Sequence, residues 1–272
     1  MIKSVVLDLD GTLLNTKMEI SEKNKHALKR LDDLKIPYFI ATGRPEQLAK
    51  SVVSELSYDR PMIMYNGSVI GHPFKEERLY SERIESDNIL HIVNYCNQHD
   101  MIVMLYTKDA IYSDPNYRVD VFKNRNKNLP EKDHAIFKTM NAFDYTLEVN
   151  KILIIEHNSS KRKQFKKHFE NTPSLNSVLQ IVQSQPSFMD INVKDTSKGK
   201  AIDILFNALG FTPNECMAIG DQDNDVSMKD HVGLFVCMGN ASDKVKAVAD
   251  YVTTENDENG VAYALSKFIL NK

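Results

Sequence analysis

Ser4-Val5-Val6-Leu7-Asp8-Leu9-Asp10-Gly11-Thr12-Leu13-Leu14 is the stretch on which the reading of the fold turns. An apolar run suited to a buried strand passes directly into two carboxylates spaced two residues apart. Side chains at i and i+2 leave a strand on the same side, so Asp8 and Asp10 converge on one spot. Gly11 permits a sharp turn and the close approach of a ligand. Two acids about 4 Å apart repel by about 4 kcal/mol at an effective dielectric near 20. The arrangement calls for a positive partner, most simply a hard divalent cation with oxygen ligands. Taken alone, the stretch also reads as a plain turn at Asp10-Gly11 with Asp8 a solvated strand end.

The chain has 272 residues, enough for one large domain or two smaller ones. Its 42% hydrophobic and 26% charged content is ordinary for a soluble globular protein. A net charge of −3 argues against a nucleic-acid binder that works by bulk charge. No apolar stretch approaches the length of a membrane span, and no secretory segment follows Lys3. Cys96, Cys216 and Cys237 are odd in number, widely spaced and form no CxxC pair, which favours a reducing cytosol. A cytoplasmic protein without nucleic-acid or membrane partners is expected; the sequence leaves the oligomeric state open.

Outward from the first strand, the pattern alternates. A helix near 22–35 follows, with Ser21 as N-cap and Ala27, Leu28, Leu31 and Leu34 at helical spacing. A second apolar strand, Tyr38–Ala41, ends in Thr42-Gly43-Arg44-Pro45, with Pro45 placed in the first turn of a helix over 46–56. A third strand, 62–65, runs into Asn66-Gly67. Alternation of this kind implies right-handed crossovers and a parallel sheet. The pattern breaks near Gly71 and Pro73. From about 84 to 190 the chain is more polar, with strands expected near 101–107, 151–157, 178–183 and 188–193 and helices near 86–98 and 159–170. The first pattern resumes after Ser197, with a helix over 199–209, strands at 216–219, 232–237 and 250–253 and a closing helix at 260–270. The expected fold is α/β: a doubly wound, Rossmann-like parallel core from 1–82 and 191–272, with an α/β domain inserted at 83–190.

A second acidic cluster, Gly220-Asp221-Gln222-Asp223-Asn224-Asp225, again follows an apolar strand. Ligands of an open α/β sheet sit outside the carboxyl ends of its strands, so both clusters belong on one edge. A calcium loop needs Gly at its sixth position and Glu at its twelfth; Val226 and Val232 stand there, and that reading fails. Thr42 offers a hydroxyl beside backbone N–H groups suited to a phosphate oxygen, or an N-cap. Lys198 offers a cation beside a helix start, a natural anion site, or a surface lysine in a polar run.

Together, DxDGTLL at 8–14, TGR at 42–44, SKG at 197–199 and GDxxND at 220–225 resemble the haloacid dehalogenase-like phosphohydrolases. The large insertion between the second and third motifs looks like the cap of the Cof-type sugar-phosphatase branch. The resemblance implies a Mg²⁺-dependent phosphatase acting on a small phosphorylated metabolite, such as a sugar phosphate. Asp8 would be the nucleophile that forms an aspartyl phosphate and Asp10 the general acid and base. Thr42 and Lys198 would hold the phosphoryl group. Mg²⁺ would be bound by Asp8, the Asp10 backbone carbonyl and Asp221, with Asn224 and Asp225 in support. Gly43, Arg44, Asn66 and Asn224 are the further residues expected to meet phosphate or substrate. A phosphomutase of the same superfamily and a non-catalytic phosphometabolite-binding protein are the alternatives.

Other signals point less sharply. Asn66-Gly67 resembles a substrate-facing position and is also a strong hairpin turn, with Ser68-Val69-Ile70 as the return strand. Arg44 would bind substrate or a core carboxylate. Asp190 stands where relatives often have a Glu. Arg118, Lys123, Arg125 and Lys127, like Lys161, Arg162, Lys163, Lys166 and Lys167, would either steer anionic substrates or form solvated faces.

Overall fold

Strands and helices alternate as the apolar periodicities dictate. In the computed structural model, which describes residues 1–113 and 134–271, the chain runs β1 (Ser4–Leu7), α1 (Glu22–Asp33), β2 (Tyr38–Ile40), α2 (Glu46–Val53), β3 (Met62–Met64), β4 (Val69–Gly71) and β5 (Arg78–Ser81). It continues through α3 (Ser86–Gln98), β6 (Ile102–Thr107), β7 (Ile111–Ser113), β8 (Phe137–Thr139), β9 (Val149–Ile155), α4 (Ser159–Glu170), β10 (Leu179–Gln185) and β11 (Phe188–Val193). It closes with α5 (Lys198–Leu209), β12 (Cys216–Gly220), β13 (Leu234–Cys237), α6 (Asp243–Val248), β14 (Tyr251–Val252) and α7 (Gly260–Leu265).

The core sheet is parallel, in the order β14-β13-β12-β1-β2, with Val5 in register with both Met217 and Tyr38. Every residue of β1 is buried, as a strand covered on both faces requires. Val5 and Leu7 pack with Leu28 and Leu31 of α1 and Leu265 of α7. Val6, on the opposite face, packs with Ile202, Leu205 and Phe206 of α5. The sheet is therefore doubly wound, and the ends of β1, β2 and β12 share one edge.

Local departures have local causes. Ser21 caps α1 through Asn24 N–H at 3.2 Å. Pro45 is itself the N-cap of α2 rather than a first-turn residue. The closing helix changes to a π-helix over Ser266–Leu270. The third strand does not extend the parallel sheet: β3 meets it through one bridge, Ala41 to Ile63, and then pairs antiparallel with β4. Left-handed backbone at Tyr65, Asn66 and Gly67 reverses the chain there, so the hairpin reading of Asn66-Gly67 holds.

The inserted sheet has the order β10-β11-β9-β6-β7-β8. Its side chains alternate between faces. Val103, Leu105, Ile152, Ile154, Met189 and Ile191 pack under α3 and α4. Tyr106, Lys151, Leu153, Phe188 and Asp190 look the other way, into a cleft shared with the core. β11 pairs with β9 as far as Ile191 and with β10 as far as Val193, so residue 191 lies inside a strand of the insert and the return to the core runs through 194–197. Asn192 Nδ2 ties the insert to the hairpin, donating to Tyr65 O and Ser68 Oγ at 3.0 Å each. Lys161, Arg162, Lys163, Lys166 and Lys167 lie on α4, whose Phe165 and Phe169 anchor it to the face away from the core. Their charges therefore form a solvated face. Arg118, Lys123, Arg125 and Lys127 lie outside the described residues.

Candidate active site

Three elements deliver the buried charge. β1 ends at Asp8, whose backbone N–H donates to Ile219 O of β12 at 3.0 Å. β12 leads into Asp221, and α5 opens with Lys198. Ser197 caps α5 by accepting Lys200 N–H at 3.1 Å, which fixes the direction in which Lys198 enters. Lys198, 1% exposed, places Nζ 2.6 Å from Asp8 Oδ1 and 2.6 Å from Asp225 Oδ1. Asp225 Oδ2 accepts the backbone N–H groups of Asp221 and Gln222 at 2.9 Å each. Asp221 accepts from Thr12 Oγ1 and from Gln222 Nε2, both at 2.8 Å. Gly11 has φ +81°, and a Cβ there would lie 2.3 Å from Asp221 Oδ2, so no side chain fits between the two acidic clusters.

Acceptor atoms of Asp8, Asp221 and Asp225 lie within 4.8 Å of one another. Burial pushes the Asp8 carboxyl well above the usual range; Lys198 opposes that shift, while Asp225, Asp221 and Asp10 reinforce it. Burial and then Asp225 push Asp221 up to about 6, against the hydrogen bonds from Thr12 and Gln222. Burial alone would lower the pKa of Lys198, but Asp225 and Asp8 outweigh it and the amine stays charged. One ammonium thus faces three carboxylates, and the donor set is all oxygen. Such a set fits a hard divalent cation. Asp225 spends one oxygen on Lys198 and the other on two backbone N–H groups, which makes it the brace of the loop, and Asp8 and Asp221 complete the acidic set that could take the ion.

Asp10 is separated from that cluster by a different partner. Arg44 grips its carboxylate with two hydrogen bonds, Nε to Oδ2 at 2.7 Å and Nη2 to Oδ1 at 2.6 Å. Arg44 is 7% exposed and also donates to Leu48 O at 3.3 Å. The structure thus pairs Arg44 with a carboxylate of the site. Thr42 is buried, its Oγ1 accepting Arg44 N–H at 3.1 Å and its own N–H donating to Ile63 O at 2.8 Å. Asn66 accepts from Asn224 Nδ2 at 3.0 Å and is packed against Gly43, where a Cβ would lie 2.6 Å from its Oδ1. Asp8, Asp10, Gly43, Arg44, Gln222 and Asn224 line the cleft, of about 160 Å³; Thr42, Asn66, Lys198, Asp221 and Asp225 are buried.

Sequence reasoning missed the supports. Thr12 and Gln222 hold Asp221, and Asn240 Nδ2 donates to Gly11 O at 2.8 Å. Thr12 was within reach, because it lies in the opening motif. Gly199 is needed for close packing, since a Cβ there would lie 2.1 Å from Ser227 O. Lys151, from the insert, carries no signal in the sequence; it and Asp190, which stands where relatives often have a Glu, both line the cleft.

Known proteins share this architecture over its whole length. The haloacid dehalogenase-like hydrolase profile matches residues 5–265. Phosphatase YwpJ of Bacillus subtilis is 30% identical, over 98% of this chain and 100% of its own length. The 5-amino-6-(5-phospho-D-ribitylamino)uracil phosphatase YcsE of the same organism is 29% identical, over 99% and 96%. A crystal structure of a haloacid dehalogenase-like hydrolase from Bacteroides thetaiotaomicron superposes with a TM-score of 0.87 at 29% identity, over 99% and 100% of the two chains. Among the described residues no helix is long and apolar enough to cross a membrane. With its paired acidic strand ends, its buried lysine and its α/β insertion, the chain belongs to the haloacid dehalogenase-like hydrolases, in the Cof-type branch, and is a phosphoric monoester hydrolase.

Proposed function

We propose that the protein is a Mg²⁺-dependent phosphatase of small phosphorylated metabolites, of sugar-phosphate size, working through an aspartyl phosphate on Asp8. The observation that carries this reading is the division of labour between the two acids: Asp8 buried on Lys198 and Asp10 held by Arg44, both in one cleft. Asp8 Oδ1 is fixed by Lys198, which leaves Oδ2 to attack phosphorus. Asp10, 46% exposed at its side chain, reaches the leaving oxygen. It donates a proton to that oxygen and then takes one from the water that opens the acyl phosphate. The Arg44 fork orients the carboxylate at rest and opens at one oxygen when that oxygen carries the proton. Thr42 and Lys198 steady the phosphoryl group, and Gly43, Asn66 and Asn224 shape the wall around it.

Asp8, the Asp10 backbone carbonyl and Asp221 would hold Mg²⁺, with Asp225 positioning the Asp221 loop. Bound there, the ion supplies positive charge against the phosphoryl oxygens. Residues 83–193 act as the cap that closes over the substrate. Cys96, Cys216 and Cys237 are buried and unpaired, in keeping with work in the cytosol.

The test is turnover of p-nitrophenyl phosphate. Activity should vanish in excess chelator and return with Mg²⁺, while Ca²⁺ replaces it poorly. D8N should fold and lose activity by at least about 10³-fold, since uncatalysed phosphate-monoester hydrolysis is far too slow to mask the loss. Free phosphate as the product of a hexose 1-phosphate separates hydrolysis from transfer to a second hydroxyl. Substantial D8N turnover would remove Asp8 from the role.

A further inference from the structure

The roof of the cleft holds a carboxylate that the chemistry just described does not use. Asp190 is 1% exposed, sits on β11 and lines the same cleft as Asp8 and Asp10. Lys151 on β9 places Nζ 2.7 Å from Asp190 Oδ1, an ion pair whose angle falls short of a hydrogen bond. Asp190 Oδ2 has no hydrogen-bond partner. A buried carboxylate oxygen left without a donor is costly, and such atoms in folded proteins ask for an explanation.

Lys151 does not supply the missing bond. Its Nζ donates to Gly43 O at 3.1 Å, pairs with Asp190 Oδ1 and lies 5.3 Å from the centre of the Tyr106 ring. With Nζ so placed, the unmet need at Asp190 Oδ2 is for a donor, not an acceptor. The cleft that Asp190 lines also carries an apolar wall: Leu48 on the core side, and Tyr106, Leu153 and Phe188 on the insert side. Flat or aliphatic side chains favour a ring face over a hydroxyl-covered one.

We propose that Asp190 is the specificity-determining residue of the cleft, its Oδ2 accepting a hydrogen bond from a ring N–H of a phosphomonoester whose leaving group is a planar heterocycle. This rests on the phosphatase reading and narrows it: among small phosphomonoesters, a flat apolar face and an N–H donor are selected together. The phosphate end lies over Asp8 and Asp10 while the ring lies between the walls, its donor edge toward β11.

Three probes separate the two requirements. Phenyl phosphate has the flat face without the donor, glucose 6-phosphate has donors without the flat face, and pyridoxine 5′-phosphate carries a planar ring with a protonated nitrogen. The wild-type enzyme with Mg²⁺ should show kcat/KM for pyridoxine 5′-phosphate at least about 10-fold above both others. D190N keeps shape but removes the charge. A hydrogen bond to a charged group contributes about 1.5–3 kcal/mol, so D190N should lower kcat/KM for pyridoxine 5′-phosphate by about 10- to 100-fold, at about 1.4 kcal/mol per decade. Phenyl phosphate should change by less than about 3-fold. The ratio between two substrates of one preparation is insensitive to the amount of folded enzyme, so a merely structural role would leave it unmoved. An unchanged ratio in D190N, or a wild-type preference for glucose 6-phosphate, overturns the proposal while leaving the phosphatase reading intact. No hydrolysis of any of the three probes would overturn the phosphatase reading itself.

Discussion

At the scale of single residues, the site is organised by which oxygen each cation takes. Lys198 occupies one oxygen of Asp8 and one of Asp225, whereas Arg44 occupies both oxygens of Asp10. On the roles proposed above, a point charge leaves Asp8 an oxygen for attack and a planar fork leaves Asp10 an orientation. R44K retains the charge and loses the fork. It should lower kcat by about 10- to 100-fold, the scale of a misplaced catalytic group, with KM changed far less. Steady-state kinetics on p-nitrophenyl phosphate check this. T12V removes the hydroxyl that orients Asp221. Supports of metal ligands typically contribute 10- to 100-fold in affinity, so T12V should raise the half-saturating Mg²⁺ by about that factor with kcat at saturating Mg²⁺ little altered. Much of this is legible in the sequence, because a buried strand that ends in Asp8 and Asp10 violates the apolar pattern and so announces itself. Lys198 between Asp8 and Asp225 is not: nothing local in a polar run says which acids a lysine will reach.

At the scale of elements, alternation and capping carried the reading furthest. Strands β1, β2 and β12, the Ser21 cap and the helices over 22–33, 86–98 and 159–170 follow from periodicity. β3 departs from the parallel pattern because positive φ at Tyr65, Asn66 and Gly67 turns the chain back, which no hydrophobic pattern encodes. Period-two alternation puts Lys151 with Leu153, and Phe188 with Asp190, on one face of the insert. Which face looks at the core is decided only by α3 and α4 covering the other. Those two helices meet at a pair of imidazoles, His91 Nε2 to His168 Nε2 at 3.0 Å, with Tyr95 stacked on His168. Burial, then His91 and His99, lower the pKa of His168. A base depressed in the folded state adds stability above its unfolded pKa of about 6.5, and that stability is lost as pH falls through the lower folded value. The urea midpoint of the wild-type protein should therefore drop between pH 7 and pH 5 more steeply than that of H168Q. Parallel pH profiles for the two proteins would remove the histidine pair from the account.

At the scale of the molecule, the carboxylates to which we assign catalysis all come from the core, and the insert contributes Lys151, Asp190 and the apolar roof. Replacing residues 84–193 with a short linker should leave a core that retains Mg²⁺-dependent turnover of phenyl phosphate and loses its preference among phosphomonoesters. Circular dichroism must show that the truncated core is folded, since the deletion removes the insert side of the cleft that Leu48 lines and the Thr107 carbonyl to which the Tyr65 hydroxyl donates. A folded core with the parent's ranking of substrates would place selectivity outside the insert.

The position of β1 between β2 and β12 also bears on how the protein is made. During synthesis β1 acquires β2 early, but its other edge stays open until Cys216, the partner of Ser4, leaves the ribosome. The insert, contiguous in sequence and packed around its own apolar cluster, has all its strands by then. Domains generally fold as units while translation proceeds, and an unpaired strand edge invites association with other chains. Nascent chains halted before residue 216 should thus carry a protease-resistant insert beside a protease-sensitive first strand, and pulse proteolysis of such stalled chains would show the two in that order.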